Sequence, residues 1–240
     1  MIIVYVKNKI ILNNYLKILF LVLFTQVSFS QIYEIGLTYG KSNFIGDVGN
    51  TTFINPNENT YGGIFKWNRS PRHSYRLSYI ISTLSANDLN SKDPRRIERG
   101  YSFETPINEV SLGMEFNFFD FDLHDYEVLF SPYIYSGLVY TNFEEHILTN
   151  NELINSKKNK STFGIPMIIG LKYRLHDKLV LSFEIGARYT FTDEIDGNNI
   201  LNDNLNYNFG NINNDDWYMF SNFSVSYTFG RNPCYCNIGK

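Results

Sequence analysis

The stretch Glu109-Val110-Ser111-Leu112-Gly113-Met114-Glu115-Phe116-Asn117-Phe118 decides the fold. Val110, Leu112, Met114, Phe116 and Phe118 are large and apolar, while Glu109, Ser111, Gly113, Glu115 and Asn117 between them are polar or small. A period of two is the signature of a strand, whose successive side chains leave on opposite faces. Ten such residues suffice for a tilted strand to cross a bilayer.

The same alternation recurs on both sides of this stretch. Upstream, Tyr33, Ile35, Leu37 and Tyr39 oppose Glu34, Gly36, Thr38 and Gly40. Segment 61–68 sets Tyr61, Phe65 and Trp67 against Gly62, Lys66 and Asn68, with Ile64 out of place on the polar face. Tyr75, Leu77, Tyr79 and Ile81 oppose Ser74, Arg76, Ser78 and Ser82. Downstream, segment 132–143 is apolar on both faces and its register is open. Phe163, Ile165, Met167, Ile169, Leu171 and Tyr173 then oppose Gly164, Gly170, Lys172 and Arg174. In 179–191 the odd positions are apolar against Ser182, Glu184, Gly186, Arg188 and Thr190. In 217–229, Trp217, Met219, Phe223, Val225, Tyr227 and Phe229 oppose Asn222, Ser224, Ser226 and Thr228.

Eight segments result, joined by long connections at 41–60, 84–106, 144–161 and 193–216, short ones at 69–72 and 175–177, and a medium one at 119–130. Membrane barrels alternate long outer loops with short periplasmic turns in this way. An eight-stranded interior holds only fitted side chains, too little room for the apolar set. The glycines also belong on the crowded side. The expectation is therefore an all-β fold, an eight-stranded antiparallel transmembrane β-barrel with long outer loops and short periplasmic turns. Its aromatic face meets lipid, and Tyr33, Tyr61, Trp67, Phe118, Tyr173, Tyr189, Trp217 and Phe229 form interfacial girdles.

The inward face then carries Glu34, Glu109, Glu115 and Glu184 together with Lys66, Arg76, Lys172, Arg174 and Arg188. In a narrow lumen such charges must pair, so they read as a plug of ion pairs rather than a conducting path. Composition narrows the rest. Each helical span needs about 20 apolar residues, and only one run approaches that length, which excludes a polytopic helical membrane protein. The net charge of −3 makes the chain a poor nucleic-acid ligand.

Residues 1–30 read as a signal peptide. Lys7, Lys9 and Lys17 precede an apolar run from Ile18 to Phe24, with cleavage expected between Ser30 and Gln31. Residues 31–230 form the barrel and 231–240 a periplasmic tail. Cys234 and Cys236 are too few for a disulfide framework; they are free or bonded to a partner.

No GxSxG, P-loop or GxGxxG motif occurs, and none of His73, His124, His146 and His176 sits in an HExxH pattern. No catalytic residue, metal, cofactor or small-molecule substrate is expected. The run Asp120-Phe121-Asp122-Leu123-His124-Asp125 lacks the glycine and closing glutamate of a calcium loop and reads as a solvated turn. Arg69, Arg72 and His73 crowd the first inner turn. Arg95, Arg96 and Arg99 sit in the second outer loop, there to hold lipid phosphates or to pair internally with Glu98 or Glu104.

Four stretches carry a further resemblance: Ser42-Asn43-Phe44-Ile45-Gly46-Asp47-Val48-Gly49, Lys66-Trp67-Asn68-Arg69-Ser70-Pro71-Arg72-His73, Asp93-Pro94-Arg95-Arg96 with Arg99-Gly100-Tyr101-Ser102-Phe103, and 109–122 with Phe118-Phe119-Asp120-Phe121-Asp122. They resemble the PorG-like outer-membrane barrels of Bacteroidetes-type bacteria, which include a type IX secretion component and uncharacterised paralogues. The resemblance covers most of 31–230. It implies a non-enzymatic scaffold in outer-membrane lipid, contacting the periplasmic PorK/PorN ring through inner turns 68–73, 119–130 and 175–178 and the tail. Arg69, Arg72, His73, Asp120 and Asp122 are the residues it points to. A barrel whose outer loops bind lipid or ligand is the other expectation.

Overall fold

The computed structural model describes residues 32–123, 129–149, 152–197 and 215–230. The expected leader and its cleavage point, His124, and the tail with Cys234 and Cys236 lie outside them.

The strands are β1 Ile32–Ile45, β2 Glu58–Asn68, β3 His73–Asn87, β4 Ser102–Asn117, β5 Phe130–Thr149, β6 Glu152–His176, β7 Leu179–Thr190 and β8 Trp217–Gly230. They pair in chain order and close into a barrel. The β8–β1 seam is marked by Ser226 Oγ donating to Glu34 at 2.8 Å and Thr38 Oγ1 donating to the Phe223 carbonyl at 3.2 Å. With closure no sheet edge is left to seek a partner.

The polarity of the barrel is inverted relative to a soluble protein. Leu37, Ile169 and Phe223 are 76%, 66% and 65% exposed, whereas Glu34 and Glu115 are 0% exposed and Lys66 is 1%. Alternation along each strand produces this, because every inward position is shielded by seven other strands. Strand β5 resolves its register here: Tyr133, Tyr135, Val139, Thr141 and Phe143 are buried, while Ile134, Leu138 and Tyr140 are exposed. Ile64 is indeed inside, and Met219, expected on the lipid face, is buried as well.

Three outer connections differ from expectation. The segment 144–161, expected as a long loop, is strand. β5 runs 20 residues and β6 runs 25, leaving only 150–151 between them. Above the bilayer no apolar face is needed, so residues 152–161 lose the alternation that marks a membrane strand while the backbone still pairs, with a register shift between Glu144 and His146. The first loop shortens to 46–57 and the second to 88–101 for the same reason. The second loop holds a 3-10 turn, Asp88–Asn90, and one short helix, α1, Pro94–Arg99. Asp93 caps α1 by accepting from Arg95 N–H, and Gly100 ends it at a left-handed φ of 71°.

Two glycines set how closely β4 and β5 approach. Gly113 and Gly137 are paired across the strands, and a Cβ on either would collide with backbone of the other strand. Gly137→Val is expected to lower stability by about 3 kcal/mol or more, read as the urea midpoint of the folded, heat-modifiable form. Gly63→Ala should leave that midpoint unchanged, since a Cβ there has only the Gly36 carbonyl near it, at 3.8 Å.

Candidate functional site: a sealed lumen between two sewn faces

All nine charged residues that alternation turns inward are buried. Glu115 lies at the centre, 2.6 Å from Lys172 Nζ, 2.8 Å from Lys66 Nζ and 4.0 Å from Arg76. Arg76 holds Glu184 with two bonds of 2.6 and 2.8 Å, and Tyr133 Oη donates to the same carboxylate at 3.0 Å. Nearer the outer end, Arg188 Nε lies 3.2 Å from Glu109, which also accepts from Tyr218 Oη at 2.8 Å. Toward the inner end, Glu34 accepts from Asn68 Nδ2 at 2.7 Å and from Ser226. Arg174, also buried, sits near the inner end of β6, where its backbone N–H bonds the Leu129 carbonyl.

Aromatic rings support the cations. Arg76 lies over Tyr135 at 4.7 Å, Arg188 over Phe220 at 4.3 Å, and Lys66 and Lys172 over Tyr133 at 5.3 and 5.5 Å. A desolvated cation gains about 2 kcal/mol from such a face. Room for the Tyr133 ring comes from Gly170 opposite it, where a side chain would strike the ring.

Both ends of this core are stoppered by residues that alternation did not single out. Above it, Phe44, Ile80, Leu84, Ile107, Phe143 and Phe220 belong to a buried apolar cluster. Its signal in the sequence is a break in alternation, as at Tyr79-Ile80-Ile81. Below it, Phe121 is buried with Lys172 4.6 Å from its ring. The medium inner turn is therefore more than a solvated bend.

The inner face is sewn together. Arg72 Nε meets Asp120 at 2.5 Å and its Nη1 donates to the Phe118 carbonyl at 3.0 Å. The Pro71 carbonyl accepts from Asn117 Nδ2 at 2.8 Å and from Phe121 N–H at 3.1 Å. These bonds join the first and second inner turns into one surface. Arg69 and His73 are exposed on it and Asp122 is half-exposed. The His73 ring meets Phe116 edge-on at 5.2 Å. Lys66 and Arg76, in sequence part of the same basic run, point into the lumen instead.

The outer face is tied by the loop arginines, though not to the acids expected. Arg99 pairs with Asp88 at 2.8 Å rather than with Glu98 or Glu104. Arg96 Nη1 donates to the Gly46 and Gly49 carbonyls at 3.0 and 2.9 Å. Arg95 pairs with Asp93 at 3.1 Å, and this bond holds the Asp93 carboxyl below its usual range. Asp196 Oδ2 accepts from the Asp47 and Val48 N–H groups, fastening the fourth loop to the first. Burial, then the charges of Asp196 and Asp193, push the Asp216 acid well above the ordinary carboxylate range. Burial lowers His146, whose ring packs against Phe103 at 5.8 Å. Among the described residues, no group of three or more His, Cys, Asp or Glu side chains is arranged to hold a metal ion.

A closed antiparallel barrel with an apolar belt outside and paired charges inside is an outer-membrane β-barrel, because only a bilayer stabilises that polarity. The chain belongs to the family described as a domain of unknown function, DUF6089, whose sequence pattern matches residues 13–238. No curated protein matches it in sequence. Among solved structures it is similar to the N-terminal β-barrel domain of OprF from Pseudomonas aeruginosa, at 16% identity and a TM-score of 0.46, covering 82% of this chain and 97% of that one. It is also similar to a major outer membrane protein of Thermus thermophilus, at 14% identity and 0.47, covering 84% and 100%. A third is Ail, the attachment invasion locus protein of Yersinia pestis, solved with the heparin analogue sucrose octasulfate, at 10% identity and 0.46, covering 84% and 100%.

Removing the shared anion is the sharpest test of the lumen. Glu115→Ala leaves Lys66 and Lys172 buried without it and is expected to cost about 3–5 kcal/mol in urea unfolding from lipid vesicles. Arg72→Ala, at an exposed pair, should cost about 1 kcal/mol or less. Equal effects would mean that the lumen is hydrated enough to screen its charges.

Proposed function

We propose that the protein is a non-enzymatic scaffold, a PorG-like component of the type IX secretion system that presents its inner turns to the periplasmic PorK/PorN ring. The observation that carries this reading is the Arg72–Asp120 clamp. It fastens the first two inner turns into one surface, with Arg69, His73 and Asp122 beside it. A barrel serving only as a membrane anchor has no need to order its turns so. The filled lumen agrees, since it leaves the faces of the barrel to supply function.

The test is a crosslinked pull-down of the tagged protein from outer membranes, read by mass spectrometry. Recovery of the ring proteins, lost in the Arg69→Glu, Arg72→Glu double variant, is the expected result. Recovery of bulk lipid and unrelated porins alone would contradict it.

The second reading is an outer-surface protein that binds lipid or ligand through its loops. The ordered outer cap favours it, because Arg96, Arg99 and Asp196 fix the first, second and fourth loops together. Under that reading, loop deletions abolish function and the double charge swap leaves it intact.

A further inference from the structure

Where β7 and β8 meet the fourth loop, residues of the first loop help to line a half-open cavity of about 410 Å³. Its walls include three aromatic rings, Phe53, Tyr189 and Trp217, and three acids, Asp47, Asp193 and Asp215. Tyr189 and Trp217 form a corner, with ring centroids 5.0 Å apart and planes inclined at 53°. Tyr189 Oη donates to Asp215, which fixes that ring and sets a carboxylate at its edge. Phe53, from the first loop, is 60% exposed.

Acids outnumber cations in the described lining of this cavity. Among the described residues that line it, Arg96 is the one cation, and its Nη1 is directed at the Gly46 and Gly49 carbonyls. Behind Gly46 lies the fully buried Asp216, whose Oδ1 has no hydrogen-bond partner among the described residues. An aromatic face attracts a cation through its quadrupole and also covers attached methyl or methylene groups. Carboxylates beside such faces reject anions. A hard metal ion needs several oxygens converging on one point, and the described residues show no such group. The chemistry that fits rings and acids together is an organic cation.

We propose that this cavity binds an alkylammonium group, primary or quaternary, through cation–π contact with Tyr189, Trp217 and Phe53 and through the charge of Asp193 and Asp215. Tyr189 and Trp217 also belong to the outer aromatic girdle, so the cavity lies at headgroup depth. The ammonium therefore comes from an aminolipid headgroup or from a soluble amine. The site stands whether or not the scaffold reading does.

Trp217 supplies the readout. The full barrel is refolded in dodecyl maltoside with Trp67→Phe, leaving one tryptophan, and is titrated with choline chloride or ethanolamine hydrochloride against sodium chloride at equal ionic strength. A saturable change in Trp217 fluorescence is expected with both amines. It should be absent with 3,3-dimethylbutanol, the neutral isostere of choline. Asp215→Asn and Phe53→Ala should each weaken the apparent affinity about tenfold while heat-modifiable migration stays intact. No saturable change, or an equal change with the neutral isostere, overturns the proposal. Repeating the ethanolamine titration in nanodiscs separates the sources. Weaker apparent affinity in phosphatidylethanolamine than in phosphatidylglycerol discs supports a headgroup occupant, and equal affinity supports a soluble amine.

Discussion

The pairing of Glu115 with Lys66 and Lys172 is the constraint on which the rest of the barrel depends. Three strands, β2, β4 and β6, each place one of these side chains on the axis, so they are held in register by charge as well as by backbone bonds. An unpaired charge there would cost several kcal/mol, and a slip of one residue in any of the three strands would send its charged side chain into lipid. Register, polarity and closure are thus one requirement. The outer belt follows from it, because once the charges occupy the lumen the aromatic face has nowhere to go but the bilayer.

Around that centre the molecule is built in tiers. Tyr133, Tyr135 and Phe220 lay rings against the cations, and Gly170 yields the space that Tyr133 fills. The apolar cluster seals the upper end, and Phe121 lies against Lys172 at the lower one. Each tier removes water from the next, which strengthens the pairing it covers. A lumen so filled has little conformational freedom, and at the two faces the inner turns are clamped and the outer loops tied.

The sequence made the barrel legible because a membrane strand has two unlike environments on its two sides. Where both sides are alike, the signal fades. Segment 132–143 is apolar on both faces since Tyr133, Tyr135 and Phe143 fill the lumen while Ile134, Leu138 and Tyr140 meet lipid. Segment 152–161 is polar on both faces because it rises above the bilayer, and it read as loop although it is strand. Contacts between distant turns carry no local signal at all. Nothing near Arg72 announces Asp120, nor does anything near Arg99 announce Asp88, and the acids closer in sequence were the wrong partners.

The most direct test of a sealed, ion-paired lumen is electrical. Purified barrel is inserted into planar bilayers, with insertion verified by protease protection, and current is recorded under an applied voltage. The sealed lumen requires silence. Stable, reproducible single-channel steps from the unaltered protein would contradict it, and with it the view that the buried charges serve to hold the barrel shut.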